Sequence, residues 1–261
     1  MKKLLFTIVL SQFETPNLGH NKAVIRSIPV LEPFFVHKTP LWKRGMDIMG
    51  AILGLILFSP LMLLISLLIK IVSPGPILFK QERVGFGGKS FPFMKFRTMK
   101  VNADTTKHQK YYTQLINGSL NRVESEKVMT KLDDSNGDII LFGRILRVTA
   151  LDELPQLFNV FNGDMSLVGP RPPIFYEVEE YLRWHNGRFD SVPGMTGLWQ
   201  VSGKNRLTFE KMIQLDVCYS RQLSFWLDIK ILLMTPLAII SQIMDEFQKD
   251  RRGLKGGKQN V

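Results

Sequence analysis

The feature that most constrains the fold is an almost unbroken apolar run from Ile48 to Ile69. Folded as one helix, a run of this length reaches across the hydrocarbon core of a bilayer. Ser59 and Pro60 interrupt the run near its middle. A proline inside a helix removes a backbone hydrogen bond and bends the axis, so the run predicts a membrane helix that is kinked at this pair.

Positively charged residues flank both ends of the apolar run. Lys43 and Arg44 precede it, and Lys70 and Lys80 follow it. Since lysine and arginine favour the cytoplasmic side of a membrane, both ends are candidates for that side. A helix that enters, bends and leaves by the same face explains this pattern, and an ordinary kinked transmembrane helix explains the run equally well. The residues alone leave the two topologies open.

The chain is basic, with 34 Lys and Arg against 23 Asp and Glu and a formal net charge of +11. Basic proteins usually bind nucleic acid, an anionic membrane face or a phosphorylated substrate. The apolar run favours a membrane, and the sequence carries no zinc-finger spacing, RNA-binding aromatic motif or basic heptad region, so we expect no nucleic-acid partner. The single cysteine, Cys218, excludes an internal disulfide and is expected to be a buried apolar residue.

Composition divides the chain into four segments. Residues 1–42 carry scattered prolines without periodicity and are interpreted as an arm or linker. Residues 43–72 hold the apolar run, and residues 73–245 are polar enough to form a folded domain. Residues 246–261 form a basic, Gly-rich tail that we expect to be disordered. The folded domain mixes helical periodicity with one predicted β-hairpin, which indicates an α+β fold that is mostly helical.

The predicted hairpin joins a strand over 77–85 to a second strand over 90–99 through a Gly-rich turn. Lys95 and Arg97 alternate with apolar residues in the second strand. Because alternate side chains of a strand share a face, both cations would lie on one face of the hairpin. That face would bind substrate phosphate, or it would be solvated or face lipid headgroups, and the residues favour neither interpretation.

Further helices are predicted on either side of the chain's centre. One covers 103–115 and is followed by a loop to residue 135, one covers 176–188, and one covers 208–220 with Thr208 as its cap. Ser224 to Met244 forms a second apolar helix with a polar first turn. We interpret it as an amphipathic helix on the bilayer surface and not as a second span.

Two adjacent carboxylates, Asp152 and Glu153, stand in an otherwise apolar stretch. Neighbouring side chains on a helix diverge by about 100°, so the pair can address different parts of one substrate. One carboxylate can attack phosphorus, and the other can hold Mg²⁺ together with substrate phosphates. Arg147 and Arg171 are the best-placed cations to offset phosphate charge, because a guanidinium matches two phosphate oxygens.

The alternative for this pair is a surface Asp-Glu at a helix start, where the helix dipole favours negative charge. Apolar residues over 151–161 follow helical spacing, and the pattern ends at residues 162–164. We expect Leu151, Leu154 and Leu157 to pack this helix onto the core beside the membrane element, away from substrate.

Several long segments resemble the bacterial sugar transferases, the monotopic phosphoglycosyl transferases that begin polysaccharide and glycoconjugate assembly. The segments occur in the order of that family and cover about residues 43–240. The matching segments are KRGMDIMGAILGLILFSPLMLLISLLIKI, GPILFKQERVG, FMKFRTM, GRILR, LDELPQLFNVFNGDMSLVGPRP, PGMTGLWQVSG, LDVCYS and SFWLDIKILL. The resemblance implies transfer of a sugar-1-phosphate from a nucleotide-diphosphate sugar, expected to be a UDP-sugar, to a polyprenyl phosphate, with UMP leaving and Mg²⁺ as cofactor.

The resemblance also implies roles for individual residues. By motif position, Asp152 is the nucleophile that forms a phosphosugar-enzyme intermediate, and Glu153 helps to hold Mg²⁺. Arg147 and Arg171 match arginines that contact substrate phosphate.

For topology, the resemblance implies that Ser59-Pro60 is the break of a re-entrant membrane helix. Residues 73–245 would then be the catalytic domain on the cytoplasmic face of the bacterial inner membrane. The sugar, the glycan pathway and the existence of a homo-oligomer are left open. The alternative is a non-catalytic membrane scaffold that recruits later glycosyltransferases; the intact Asp-Glu pair favours the enzyme, because a scaffold needs no such pair.

Overall fold

The computed structural model describes residues 39–101, 139–203 and 207–256, with side chains described as far as Gln248. The helix expected over 103–115, the loop that follows it and most of the 1–42 arm lie outside the described residues.

The apolar run forms one long helix, α1, over Leu41–Val72. The helix continues through Pro60, and the Ser59 hydroxyl donates a hydrogen bond to the carbonyl of Ile56 at 3.0 Å. Its first turn lies within the segment expected to be a linker, because residues 41–42 already have helical backbone. Within the described residues, α1 and the stretch Phe225–Gln248 are the two helices long and apolar enough to cross a membrane.

The predicted hairpin is confirmed. Strand β1 over Leu78–Val84 pairs antiparallel with β2 over Ser90–Phe96, and Leu78 stands opposite Phe96. A short 3-10 turn over Phe86–Gly88 joins the two strands. Two of its glycines have positive φ, a conformation that glycine adopts without steric strain.

The second half of the described chain consists of short elements followed by two longer helices. The elements are α2 (Gly143–Val148), a 3-10 turn (Leu151–Glu153), α3 (Gln156–Asn162), β3 (Ser166–Val168), α4 (Phe175–Val178), a 3-10 helix (Arg183–Asp190), β4 (Gly194–Thr196), α5 (Leu198–Val201), α6 (Phe209–Arg221) and α7 (Phe225–Gly256). Strands β3 and β4 form a parallel pair in which Ser166 stands opposite Gly194. Neither strand shows a sequence pattern that predicts this pair, because each is only three residues long.

Two of the predicted helices are subdivided. The stretch 176–188 contains α4 and the 3-10 helix, since Leu182 adopts extended backbone between them and its N–H donates to His185 Nδ1 at 3.1 Å. The stretch 151–161 contains the 3-10 turn and α3, which ends before Gly163 as predicted.

The two C-terminal helices follow the sequence pattern more closely. Helix α6 is confirmed, and the hydroxyl of Thr208 accepts a hydrogen bond from the N–H of Lys211 at 3.3 Å. Helix α7 continues to Gly256, so the backbone is helical over the first part of the tail that we expected to be disordered. Good helix formers such as Glu246 continue the helix there. Residues 257–261 lie outside the described residues.

Two glycines allow α1 to pack closely against the segment that carries and follows Asp152 and Glu153. A Cβ atom at Gly54 would lie 3.1 Å from Leu157 of α3, and one at Gly50 would overlap the side chain of Leu167. Leu157 is buried, and Leu151 and Leu154 pack on a buried cluster that contains residues of α1. The expectation that these three leucines pack the segment of Asp152 and Glu153 beside α1 is therefore confirmed.

The cations at the start of α1 bind protein groups. Lys43 is 1% exposed, and its Nζ forms an ion pair with Asp228 of α7 at 2.7 Å. The same Nζ donates to the carbonyl of Val168 and to the hydroxyl of Tyr219. Arg44 donates to two carbonyls at the end of α3, both at 2.7 Å. These two residues thus anchor the helix to the domain, a role that their position beside an apolar run did not indicate.

Candidate active site

Asp152 and Glu153 lie on a single turn of 3-10 helix between α2 and α3. Ala150 precedes the turn with φ of 57°, a left-handed conformation that is uncommon outside glycine. The N–H of Glu153 donates to the carbonyl of Ala150 at 3.2 Å and closes the turn. Asp152 is 7% exposed, whereas Glu153 is half-buried. The alternative of an exposed surface pair is therefore wrong for Asp152.

Burial and negative charge both act on Asp152. Its pKa is raised from 3.8 to about 6, chiefly because burial penalises the charged carboxylate and secondly because Glu153 carries a like charge. Lys95 and Arg147 oppose this shift, since nearby positive charge stabilises the carboxylate. A carboxylate with a strongly shifted pKa beside specific charge partners is typical of a functional site.

Lys95 of β2 lies close enough to Asp152 and Glu153 to interact electrostatically with both carboxylates. Its pKa is lowered from 10.5 to about 8, chiefly because burial penalises the charged ammonium. Asp152 and Glu153 oppose this shift, and the positive charges of Arg83 and Arg147 add to it. Its Nζ lies 5.3 Å from the ring centroid of Phe79 on the paired strand. The structure therefore brings Lys95 and the carboxylate pair together, as the phosphate-binding interpretation of the hairpin required.

Arg147 reaches the same region from the last turn of α2. Its Nε donates to Thr98 Oγ1 at 2.9 Å, and the Thr98 carbonyl accepts from the N–H of Ile140 at 3.1 Å. These bonds tie α2 to the chain that leaves β2. Thr98 was not singled out from the sequence, because it stands 49 residues from Arg147 and no local pattern connects them.

Arg97 does not share the position of Lys95. Strand β2 ends at Phe96, so strand alternation does not extend to Arg97. Arg97 is 4% exposed and donates to the carbonyls of Ser73 and Pro74 at 2.6 and 2.7 Å. The prediction that both cations line one phosphate-facing surface is therefore corrected: Arg97 holds the turn after α1.

Arg171 lies in the loop between β3 and α4. Its positive charge lowers the pKa of the buried carboxyls of Glu177 and Asp216, although burial raises both pKa values overall. The cations with the largest effect on Asp152 are Lys95 and Arg147. The proposed contact of Arg171 with substrate phosphate stays a prediction.

The carboxylate pair offers oxygen ligands of the kind that Mg²⁺ takes. Among the described residues, no group of three or more His, Cys, Asp and Glu side chains is arranged to hold a metal. Mg²⁺ commonly binds through one or two carboxylates, water and substrate phosphates, so Asp152 and Glu153 supply enough protein ligands. Burial and the like charge of Glu153 both disfavour the charged form of Asp152, and a bound cation would stabilise that form.

Known proteins are similar to this chain over the same region that carries the segments resembling the sugar transferases. The model of the bacterial sugar transferase family matches residues 38–242. Undecaprenyl-phosphate galactose phosphotransferase of Salmonella typhimurium is 42% identical over 199 residues, which cover 76% of this chain and 40% of that protein. UDP-glucose:undecaprenyl-phosphate glucose-1-phosphate transferase of Escherichia coli is 38% identical over 236 residues, which cover 85% of this chain and 46% of that protein.

A shorter relative matches over most of its own length. Exopolysaccharide production protein ExoY of Rhizobium meliloti is 36% identical over 197 residues, which cover 76% of this chain and 84% of that protein. The chain therefore spans less than half of the two longer relatives and most of the shorter one.

Proposed function

Because the chain belongs to the bacterial sugar transferase family, we propose that it transfers a sugar-1-phosphate from a UDP-sugar to undecaprenyl phosphate and releases UMP. The Salmonella relative is named for an undecaprenyl-phosphate reaction, and the Escherichia relative is also named for UDP-glucose. The Rhizobium relative is named for exopolysaccharide production, so we assign the reaction to the first membrane step of such an assembly.

The reaction proceeds in two displacements at one phosphorus atom. A carboxylate oxygen of Asp152 attacks the phosphorus that carries the sugar, and UMP leaves with the bridging oxygen and its electron pair. A phosphate oxygen of undecaprenyl phosphate then attacks the same phosphorus. The bond to Asp152 breaks, the carboxylate is regenerated, and undecaprenyl-diphosphate sugar is the product.

The observation that carries this proposal is the buried position of Asp152 beside Glu153, Lys95 and Arg147. With a pKa of about 6, Asp152 is mostly ionised near neutral pH and yet more basic than an exposed aspartate. Both properties suit a nucleophile that must attack and later leave.

The positive side chains have complementary roles. Lys95 and Arg147 offset charge on the transferred phosphoryl group as it passes between the carboxylate and each substrate oxygen. Arg171 binds a substrate phosphate from the loop that follows β3. Glu153, with Asp152, would hold Mg²⁺, which supplies charge neutralisation and polarises phosphate oxygens when it is bound.

We place α1 in the membrane as a re-entrant helix, with the catalytic domain on the cytoplasmic face. Both halves of α1 pack on the hairpin: Ala51 lies in a cluster with Phe93, and Ile65 lies in a cluster with Phe96 of the same strand. Residues 56–60 between them are exposed. A helix that spanned the bilayer would carry one half away from the domain, so these contacts support an entry and an exit on one side.

Helix α7 supports the same placement. Its exposed face carries large apolar residues at helical spacing, namely Leu233, Leu237, Ile240, Met244 and Phe247. An apolar face of this kind suits the interfacial region of a bilayer.

The test is UMP release by purified protein in undecaprenyl phosphate-containing micelles with Mg²⁺ and a panel of UDP-sugars. We expect release with at least one sugar, and an intact-mass increase equal to one phosphosugar when the lipid is omitted. Asp152→Asn should abolish both. Asp164→Asn, a half-buried aspartate after α3, is the matched control and should retain both.

The scaffold alternative has a different outcome. It predicts capture of glycosyltransferases that persists in Asp152→Asn, with no UMP release by the wild type for any sugar. Near wild-type turnover by Asp152→Asn would instead refute the covalent role of Asp152 while leaving an enzyme.

A further inference from the structure

The loop Pro170-Arg171-Pro172-Pro173 is held at every backbone carbonyl. The carbonyl of Pro170 accepts from the N–H of Gly194 at 2.9 Å, and that of Pro173 accepts from the N–H of Val84 at 3.0 Å. The two carbonyls between them accept from arginine side chains. Such complete engagement is notable in a loop, since loops usually satisfy much of their backbone with water.

The composition of the loop makes outside donors necessary. Three of its four residues are prolines, which have no N–H group, so the loop cannot form a regular backbone ladder of its own. Its conformation therefore depends on donors supplied by other elements. The proline rings restrict φ, and the external donors hold the loop in place.

Arg188 of the 3-10 helix is the first of the two arginine donors. It is 5% exposed, and its Nη2 donates to the carbonyl of Arg171 and to the carboxylate of Asp216, both at 2.6 Å. Its Nη1 donates to the hydroxyl of Tyr181 at 2.6 Å. Asp216 and Tyr181 orient the guanidinium, so the bond to the Arg171 carbonyl comes from a side chain with little freedom.

Arg83 of β1 is the second arginine donor. It is 4% exposed, and its Nη1 donates to the carbonyl of Pro172 at 2.7 Å. Its guanidinium carbon lies 4.5 Å from the ring centroid of Phe93 on the paired strand. The loop is thus fixed between the hairpin, which also contributes Lys95, and the helices that follow β3.

We propose that Arg188 and Arg83 are positioning residues that hold the 170–173 backbone so that Arg171 meets the substrate phosphate in one fixed geometry. The inference rests on the proposed function, in which Arg171 binds that phosphate. Neither positioning arginine contacts substrate in this proposal, because both are buried with their terminal nitrogens donating to protein groups.

A double-mutant cycle distinguishes positioning from general stabilisation, because residues that act through one another give non-additive effects. The variants are Arg188→Lys, which keeps the charge but loses the forked donor, and Tyr181→Phe, which removes one hydroxyl and keeps the ring. Each is made alone and together with Arg171→Gln. Arg221→Gln, at an exposed arginine at the end of α6, is the control.

We expect Arg188→Lys and Tyr181→Phe each to raise the KM for the UDP-sugar about 3- to 10-fold, with kcat changed less than about twofold, as for loss of one hydrogen bond. In the Arg171→Gln background, neither change should raise KM further. Arg221→Gln should match the wild type. Tyr181→Phe keeps the test decisive if Arg188→Lys fails to fold.

The opposite outcomes are distinct. Additive effects in the Arg171→Gln background, or an unchanged KM in both single variants, overturn the positioning role while the proposed reaction stands. A wild type that releases no UMP overturns the proposed reaction and the positioning role together.

Discussion

Lys43 and Asp228, separated by 185 positions in the sequence, form an ion pair of 2.7 Å in which both side chains are almost fully buried. The Tyr219 hydroxyl donates to the other oxygen of Asp228 at 2.7 Å and completes the arrangement. The pair joins the start of α1 to the start of α7. The two candidate membrane helices therefore leave the domain from one shared anchor.

Breaking this pair on one side should destabilise the fold strongly. Lys43→Met leaves Asp228 buried without its cation, and such changes typically cost about 3–5 kcal/mol. Arg144→Gln breaks an exposed pair with Glu246 and should cost at most about 1 kcal/mol. Thermal unfolding in detergent measures both. Equal costs, or a double variant Lys43→Met/Asp228→Leu no more stable than Lys43→Met alone, would contradict the importance of the buried charge.

The pH dependence of turnover should report the ionisation of Asp152. The nucleophile must be ionised, so activity should fall at acid pH. The pKa of about 6 describes the site without metal, and bound Mg²⁺ favours the carboxylate, so this acid limb should lie at or below pH 6. Glu153 raises the pKa of Asp152, so Glu153→Gln should lower that pKa and move the acid limb to lower pH. Glu179→Gln, at an exposed glutamate, should leave the limb in place. A pH profile of kcat/KM at saturating Mg²⁺ tests the shift, and movement to higher pH would contradict it.

Glu153 should also affect the response to Mg²⁺. If its carboxylate is a metal ligand, Glu153→Gln should raise the Mg²⁺ concentration required for half-maximal activity. A superimposable Mg²⁺ titration of this variant and the wild type would remove Glu153 from the proposed metal site.

Lys95 should influence both rate and pH dependence. Lys95→Met removes a positive charge that lowers the pKa of Asp152, so the acid limb should move to higher pH. We expect kcat/KM to fall on the order of 100-fold, as for other donors that stabilise transition-state charge. Lys95→Arg should retain more activity, and Lys89→Met, at an exposed lysine beside the hairpin turn, should retain nearly all of it. An unchanged profile for Lys95→Met would exclude Lys95 from the site.

Two glycines on α1 provide a matched test of its packing. Gly50→Ala places a methyl group into the side chain of Leu167, and overpacking of this kind costs about 1–3 kcal/mol. Gly45→Ala meets no atom within 4 Å and should be neutral or stabilising by up to about 1 kcal/mol, because alanine favours the helix. Unfolding midpoints in detergent measure the difference. Equal stabilities would place α1 farther from β3 than the structure does.

The topology of α1 can be tested by labelling cysteines in membrane vesicles. In a Cys218→Ala background, Gly45→Cys and Lys70→Cys place thiols at exposed positions near the two ends of the helix. The re-entrant arrangement predicts that an impermeant reagent modifies both from the cytoplasmic side. Adding Pro60→Leu should shift labelling towards opposite sides, because the straightened run can span. Opposite-side labelling without that change would rule out re-entry.

Structural features that depend on residues close together in the sequence were mostly predicted correctly, and most features that depend on distant residues were not. The hairpin, the Thr208 cap and the burial of Cys218 were predicted correctly, since each follows from residues a few positions apart or from side-chain polarity. The parallel pairing of β3 with β4 was missed, because each strand is only three residues long and neither shows a clear alternation.

Lys95 and Arg97 illustrate the limit most clearly. Strand alternation predicted that both side chains share one face, but β2 ends at Phe96, between the two residues. Arg97 instead donates to the carbonyls of Ser73 and Pro74 in the turn after α1. Only the position of the turn after α1 shows that Arg97 binds carbonyls there. Lys95 interacts electrostatically with Asp152 and Glu153, and its contact with substrate phosphate stays a prediction.

The sequence by itself determined the membrane-length helix, the adjacent carboxylates and the order of segments that identifies the family. Those features depend on local composition and on residues that are neighbours along the chain. The tertiary structure alone decided that Asp152 is buried, that Lys95 and Arg147 oppose its pKa shift, and that two buried arginines hold the loop of Arg171. Desolvation and charge interaction depend on which distant side chains fold to within a few ångströms, and linear spacing carries no measure of that distance.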